Sequence, residues 1–533
     1  VPFVLRPLAV FAAALIAFAP LTGTARESVP SAARELAAAR ALDAVRSNPV
    51  RLRAFLQTMP KGADLHNHAT GAVYAESLIA MARSDGACVS ATFVASQPPC
   101  DAASGQQPIE TAIRGGAWDK IVDAWSTRNV ARYPISGHDQ FFDTFGKFGA
   151  ISGRHLGEIV ADDLRQAAED RVAYVELMAS FGYDPIRRIT DAVRYDGDLG
   201  ALRDAVAAQG LDAAVASAAA EVAQTDAAAR AALGCATHPA ALGCDVDYRY
   251  IMQVVRTAPV ASVYVQTAVA FGLARRTPRV VGVNYVAPED NPVAVRDYDV
   301  HMRIVRMLSD ANPSVDVSLH AGELTLGLVP RSALQDHILG AVEVAHAKRI
   351  GHGVDIVYER DHDRTLADMR RRHVLVEINL TSNDVILGVK GKAHPILLYL
   401  KAGVPIALST DDEGVSRIDL THEYQRAVET YGFSYGTLKE FVRNSLEYSF
   451  LPGPSLWTSD AYRAMVPACA GADPLRAPSA ACGAYLGESA KAREQWRVDH
   501  ELAAFEAGLE KTRYSTAASA GASGSTGLGS ARE

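Results

Sequence analysis

The chain has 533 residues, of which 49% are hydrophobic and 21% charged, and its formal net charge is −8. That balance belongs to a folded globular protein, and the length allows one large barrel with additions or two to three ordinary domains. No basic surplus is available to neutralise phosphates, which argues against a nucleic-acid partner.

Residues 1–25 read as a secretory signal: Arg6, an apolar run over 8–18, then the small residues Gly23-Thr24-Ala25. The apolar run is shorter than the roughly 20 residues a membrane span requires. The expectation is therefore an exported protein, periplasmic or extracellular, with no membrane contact after signal cleavage. Residues 26–58 read as a helical extension, and either a homodimer contact or packing on the chain's own barrel explains it. Insertions are expected near 84–140 and 198–247, the first irregular and the second Ala-rich and helical. Six cysteines fall as near neighbours, Cys88 with Cys100, Cys235 with Cys244 and Cys469 with Cys482. Such spacing suits loop-closing disulfides in an oxidising compartment, although six cysteines permit 15 pairings. Residues 513–533 are mostly Ser, Gly, Ala and Thr; they cannot bury a core and are expected to be disordered.

Between these limits, over 59–512, short apolar runs alternate with amphipathic or Ala-rich stretches. The runs lie at 62–68, 172–180, 248–256, 280–286, 315–323, 349–355, 374–383 and 405–412. Near-continuous apolar strands belong to a parallel sheet buried on both faces. Eight of them with helices between predict an α/β fold, a TIM (β/α)8 barrel, with an open doubly wound sheet as the alternative. Residues 332–348 exemplify the expected helices, with Leu334, Ile338, Ala341, Val342 and Ala345 near a 3.6-residue period.

The polar residues favour the barrel, because they gather at strand ends, where barrel active sites are built. His66 and His68 are alternate residues of one strand and project to the same side. Later strands end in His320-Ala-Gly-Glu323, Arg349-Ile-Gly-His352-Gly353 and Ser409-Thr410-Asp411-Asp412. Nitrogen from His66, His68 and His320 with oxygen from Asp411 suits one zinc ion with a position left open for water. Glu323 and His352 would flank the attacked carbon, as addition of water to an electron-poor C–N centre requires.

These pieces, preceded by Met59-Pro60-Lys61-Gly62 and accompanied by Thr381-Ser382-Asn383, resemble the adenosine deaminase family. Within it the resemblance is to the secreted, growth-factor-related branch. It implies that His66, His68, His320 and Asp411 hold zinc and that Glu323 protonates the purine ring nitrogen. It further implies that His352 orients the attacking water and helps deprotonate it, while Asp412 holds the hydroxide. Adenosine, and deoxyadenosine with it, would become inosine-type product and ammonia. Glu377 reads as a supporting carboxylate.

Two departures fall on the substrate side. The family has Leu-Asp-Gly after the second histidine, its aspartate near the ribose, whereas this chain has Ala69-Thr70-Gly71. Ala287 stands where a glycine amide usually meets the purine. Thr70 and Ala287 are thus the candidate substrate-binding residues, and a modified adenosine or free adenine is the alternative substrate. A non-catalytic extracellular binding or signalling protein would show broken ligands, and all are present. His155, His238, His301, His337, His346, His373 and His394 read as structural. His422-Glu423 lacks the second histidine of a zincin motif, since Arg426 stands there. Trp118, Trp125, Tyr133, Phe142, Phe145 and Phe148 suit core or insertion packing better than a pocket wall.

Overall fold

The computed structural model describes residues 29–522, with side chains over 32–509. The expected signal segment lies outside the described residues; of the tail expected to be disordered over 513–533, residues 513–522 continue the helix Ala490–Ala522 and 523–533 lie outside the described residues. Eight parallel strands follow one another around a barrel: β1 Gly62–His68, β2 Val172–Ala179, β3 Asp247–Val255, β4 Val280–Val286, β5 Asp316–Ala321, β6 Arg349–His352, β7 Leu375–Ile378 and β8 Ile406–Leu408. β8 meets β1 at the C-terminal end, where His68 N–H donates to Asp411 O at 3.1 Å and Asp411 N–H to His66 O at 2.8 Å. The ring closes there, so the open doubly wound alternative does not apply.

Four strands are shorter than their apolar runs. β5 and β6 stop just before or at residues in the left-handed region, Gly322 (φ 76°) and His352 (φ 69°), and Asp411 (φ 62°) follows β8 three residues beyond its end. Such a residue turns the chain out of the sheet. β7 stops at Ile378, and Thr381-Ser382-Asn383 lies in the first turn of the helix Leu380–Leu387. Glu423 holds that turn by accepting from the amide and hydroxyl of Thr381.

The expected extension is two helices, α1 Val29–Val45 and α2 Pro49–Thr58. Asn48 separates them, capping α2 by accepting from Arg51 N–H at 3.1 Å, with Pro49 opening the new helix. α1 packs on the helices Tyr435–Glu447 and Ala490–Ala522, and α2 is held on the chain's own barrel: Arg53 grips Asp419, Phe55 meets Phe505, and buried Lys61 Nζ donates to Leu56 O, Met59 O and Asp170 O.

The first insertion holds a small antiparallel sheet (Cys88–Val89, Ala95–Ser96, Gln107–Pro108) and leads into α3 Gly137–Ser152. The second is helical, and its long α5 Leu211–Leu233 packs on α4 Leu156–Glu169. All three cysteine pairs form as their spacing suggested. The expected helix over 332–348 is broken into a 3-10 turn Arg331–Leu334, a short turn His337–Leu339 and a π-turn Gly340–Val344. Its apolar face is buried as the period implied. Glu359 caps the second of these turns by accepting from Ile338 and Leu339 N–H. Among the described residues, no helix is long and apolar enough to cross a membrane.

Candidate active site

The C-terminal ends of β1 and β5 and the turn after β8 bring His66, His68, His320 and Asp411 together. His320 Nε2 lies 3.1 Å from His66 Nε2 and 3.2 Å from His68 Nε2. Asp411 Oδ1 is 3.4 Å from His66 Nε2 and 3.3 Å from His68 Nε2. Ligand atoms held around one ion by bonds of about 2.0–2.1 Å are spaced in this way. His352 Nε2 stands farther out, 3.9 Å from Asp411 Oδ2.

The far nitrogens support the same reading. His66 Nδ1 meets the Glu377 carboxylate at 2.7 Å, and His320 Nδ1 meets Asn284 Oδ1 at 2.8 Å. Asn284 Oδ1 also accepts His320 N–H, and its amide nitrogen faces Ser318 Oγ, which fixes its orientation. In their neutral forms both rings therefore carry their proton on Nδ1, and two Nε2 lone pairs face each other. Lone pairs at that distance repel unless a cation sits between them. The residues fit a metal ion. Burial opposes charge on His66, yet Asp411 and Glu377 outweigh it and raise its pKa to about 10, so these acids favour a positive charge here, carried either by a second proton on His66 or by a metal ion that replaces it. His68 differs. Its Nδ1 faces Gln253 Nε2 at 3.0 Å, and that nitrogen also donates to Met178 O. Ligation by His68 requires this amide to turn over.

Below the ligands the barrel interior is charged. Glu377 accepts from Arg349 Nε at 2.5 Å, and Arg349 Nη2 donates to Glu176 at 2.6 Å. Glu176 accepts in turn from Tyr174 OH and Phe450 N–H. Glu176, Arg349 and Glu377 are all fully buried. Gly351 completes the fit, because a Cβ there would come within 2.6 Å of the His66 ring.

Three polar groups face the cluster from the pocket side. Burial, reinforced by Asp411 and Glu289, pushes the Glu323 carboxyl well above its ordinary range, and its Oε1 has no hydrogen-bond partner. Glu289 orients this segment by accepting from Gly322 and Glu323 N–H, and His337 and Arg256 face Glu289. Asp412 Oδ1 is likewise buried without a partner, and burial beside Asp411 raises its pKa well above the usual value. Gly71 makes room for it, since a Cβ at that position would fall 1.6 Å from Asp412 Oδ1. His352 Nε2 is the third buried, unpartnered group.

These groups open into a pocket of about 360 Å³. Thr70 and Ala287 both line it, with Ala287 in a left-handed conformation (φ 80°). Its roof comes from α3, which contributes Phe141, Phe142 and Phe145. Of the aromatics considered from sequence, only Phe142 and Phe145 reach the pocket; Trp125 and Phe148 are core, while Trp118 and Tyr133 are exposed. Phe141, Gln253 and Glu289 escaped the sequence reading. The apolar 3–4 spacing of Phe141, Phe142, Phe145 and Phe148 was the available signal for the roof, but it does not distinguish a core face from a pocket face. His337 and His394, read as structural, are buried beside site residues, His337 on Glu289 and His394 on Asn383.

The sequence profile of the family described as adenosine deaminase matches residues 140–456. The chain belongs to the adenosine deaminase family. An adenosine deaminase of Shewanella denitrificans is 36% identical over 137 residues, which cover 25% of this chain and 38% of that protein. An adenine deaminase of Sinorhizobium medicae is 31% identical over 186 residues, covering 35% of this chain and 52% of that protein. The matched segments thus span between about a third and about half of these family members. The solved N6-methyl-AMP deaminase of Arabidopsis thaliana superposes with a TM-score of 0.49 at 18% identity, covering 75% of this chain and 94% of that one.

Proposed function

We propose that this protein is an exported, zinc-dependent adenosine deaminase that converts adenosine and water to inosine and ammonia. One observation carries the reading: a ligand-spaced His66, His68, His320 and Asp411 cluster shares a pocket with the unpartnered Glu323 and Asp412 carboxyls. A bound zinc ion would supply a water whose pKa is lowered toward about 7. Glu323, protonated by burial, gives its proton to the ring nitrogen beside C6 and makes that carbon electrophilic. Asp412 accepts from the attacking water and holds its oxygen at C6. A C–O bond forms, the proton held by Asp412 passes to the amine, the C–N bond breaks and ammonia leaves, while the hydroxyl proton released as the C=O bond forms restores the Glu323 carboxyl. The Phe roof excludes water that would weaken these interactions.

Among the described residues no lysine or arginine lines the pocket, which favours an uncharged purine over a nucleotide. Deoxyadenosine suits the same pocket. Thr70 in place of an aspartate favours, as the second reading, a modified adenosine or free adenine. Three disulfides accord with export, because such bonds persist in oxidising compartments.

The test is ammonia release from adenosine, deoxyadenosine, adenine and AMP, before and after chelation. Adenosine turnover that chelation abolishes and zinc restores is expected. Release from adenine alone would favour the second reading. No release from any purine by folded, zinc-loaded protein would sink both.

A further inference from the structure

His394 lies on the segment before the helix Ile396–Ala402 and lines neither the metal cluster nor the pocket. It is nonetheless 4% exposed, and both of its ring nitrogens have partners. The backbone N–H of Ile396 points at Nδ1 from 3.2 Å. A backbone N–H can only donate, so Nδ1 of His394 accepts. Burial lowers the pKa of His394 to about 4, with Arg426 adding to the effect, so the ring is neutral at pH 7. Its single proton is then on Nε2, which faces Asn383 Oδ1 at 3.0 Å. That bond fixes the orientation of the Asn383 amide and turns its nitrogen toward His352 Nδ1, 2.9 Å away. The Asn379 amide nitrogen faces the same atom from 3.4 Å. His352 Nδ1 is therefore an acceptor. A neutral His352 ring must carry its proton on Nε2, the buried nitrogen that looks into the pocket.

We propose that His394, acting through Asn383, is a positioning residue that fixes the proton of His352 on Nε2. The chain runs without ambiguity from an obligate backbone donor to the pocket: Ile396 N–H to His394, His394 to Asn383, Asn383 to His352. Every link is buried, so water does not substitute for one that is lost. The consequence rests on the deaminase reading. With Nε2 protonated, His352 donates a hydrogen bond to the oxygen at the attacked carbon and does not take the first proton from water. That proton falls to Asp412, whose Oδ1 is unpartnered. Glu323 Oε1 lies 3.5 Å from the same Nδ1, farther than the Asn383 amide, and burial shifts that carboxyl upward, which weakens the carboxylate's pull on a proton at Nδ1.

The experiment pairs two readouts on the full chain. In histidine-15N-labelled protein, long-range 1H–15N correlations report which nitrogen of each neutral ring is protonated, with His352 assigned through His352→Gln. Expected is the Nε2–H form in the parent, loss of that form in His394→Phe, and its return in His394→Gln, whose amide can donate to Asn383. In the same set, kcat should fall at least tenfold in His394→Phe with KM within twofold, and His394→Gln should recover to within threefold. Asn383→Asp, a carboxylate acceptor, should drive His352 to the Nδ1–H form and serves if His394→Phe does not fold. An Nδ1–H ring in the parent, or an unchanged tautomer in both variants that perturb the chain, overturns the proposal. A changed tautomer with unchanged kcat overturns the role in the reaction. If the protein deaminates no purine, the spectra still decide the chain, and only the deaminase reading fails.

Discussion

The floor and the roof of the pocket are built by different rules. On the floor, the far nitrogens of His66 and His320 and the Nδ1 of His352 are each fixed by a buried partner: Glu377, Asn284 and Asn383. The Glu377–Arg349–Glu176 chain continues that anchoring through the barrel interior. The roof is apolar, made by Phe141, Phe142 and Phe145 on a helix that follows an insertion. Among the described residues, its polar tie to the barrel rim is one clasp, His138 Nε2 on Asp290 Oδ1 at 3.1 Å. A preorganised floor with a weakly tied roof is what chemistry under a cover needs: fixed charges below, and a surface that can part to admit substrate.

The comparison breaks hardest at Glu323. Glu323→Gln keeps the shape and removes the transferable proton, so kcat should fall by about 10²–10⁴ with little change in KM. Steady-state kinetics on adenosine checks this, and a loss confined to KM would take Glu323 out of the chemistry.

Arg349→Met tests whether the interior chain supports the floor. It leaves Glu176 and Glu377 buried without their shared cation. Removing one partner of a buried pair costs about 3–5 kcal/mol. Denaturant unfolding should show that loss together with weaker zinc retention, since Glu377 holds His66. Full stability would mean that the acids take up protons at little cost.

Thr70→Asp sharpens the comparison at the floor's rim, two residues beyond His68. A carboxylate facing sugar hydroxyls adds a charge-assisted hydrogen bond of at least about 1.5 kcal/mol, or roughly tenfold in KM for adenosine. Adenine, without a sugar, should be unaffected. A parallel shift for both would place Thr70 near the base instead.

The same division governs what the sequence reveals. The floor is legible because each strand end carries its chemistry within a few residues, as in His320-Ala-Gly-Glu323, and a buried strand has a short, apolar signature. The roof is not, because α3 reaches the pocket only through the path of an insertion, and no local pattern encodes that path. The winding of 331–344 was hidden for a related reason: apolar period reports which face is buried, while the cap on the turn at Ile338 comes from Glu359 on another segment. The site backbone was hidden too. Asp411 and His352 hold φ values of 62° and 69°, conformations that non-glycine residues seldom adopt and that sequence pattern does not announce.

The smallest expected effect lies at the clasp. Asp290 raises the pKa of His138 above its ordinary value, burial opposes the shift, and Asp139, 2.9 Å from Nδ1, adds to it. A histidine raised in the folded state contributes fully below its unfolded pKa of about 6.5 and loses that contribution as pH rises through the folded value. The clasp should therefore hold the roof at pH 6 and slacken above neutrality. Its residues are partly exposed, with side-chain exposures of 19% and 18%, so solvent limits the pair to about 0.2–1 kcal/mol. KM should rise less than about fivefold between pH 6 and 8.5, and Asp290→Asn should remove most of that rise while leaving kcat within twofold. A KM profile identical in parent and variant would mean that the Phe141, Phe142 and Phe145 contacts alone hold the roof in place.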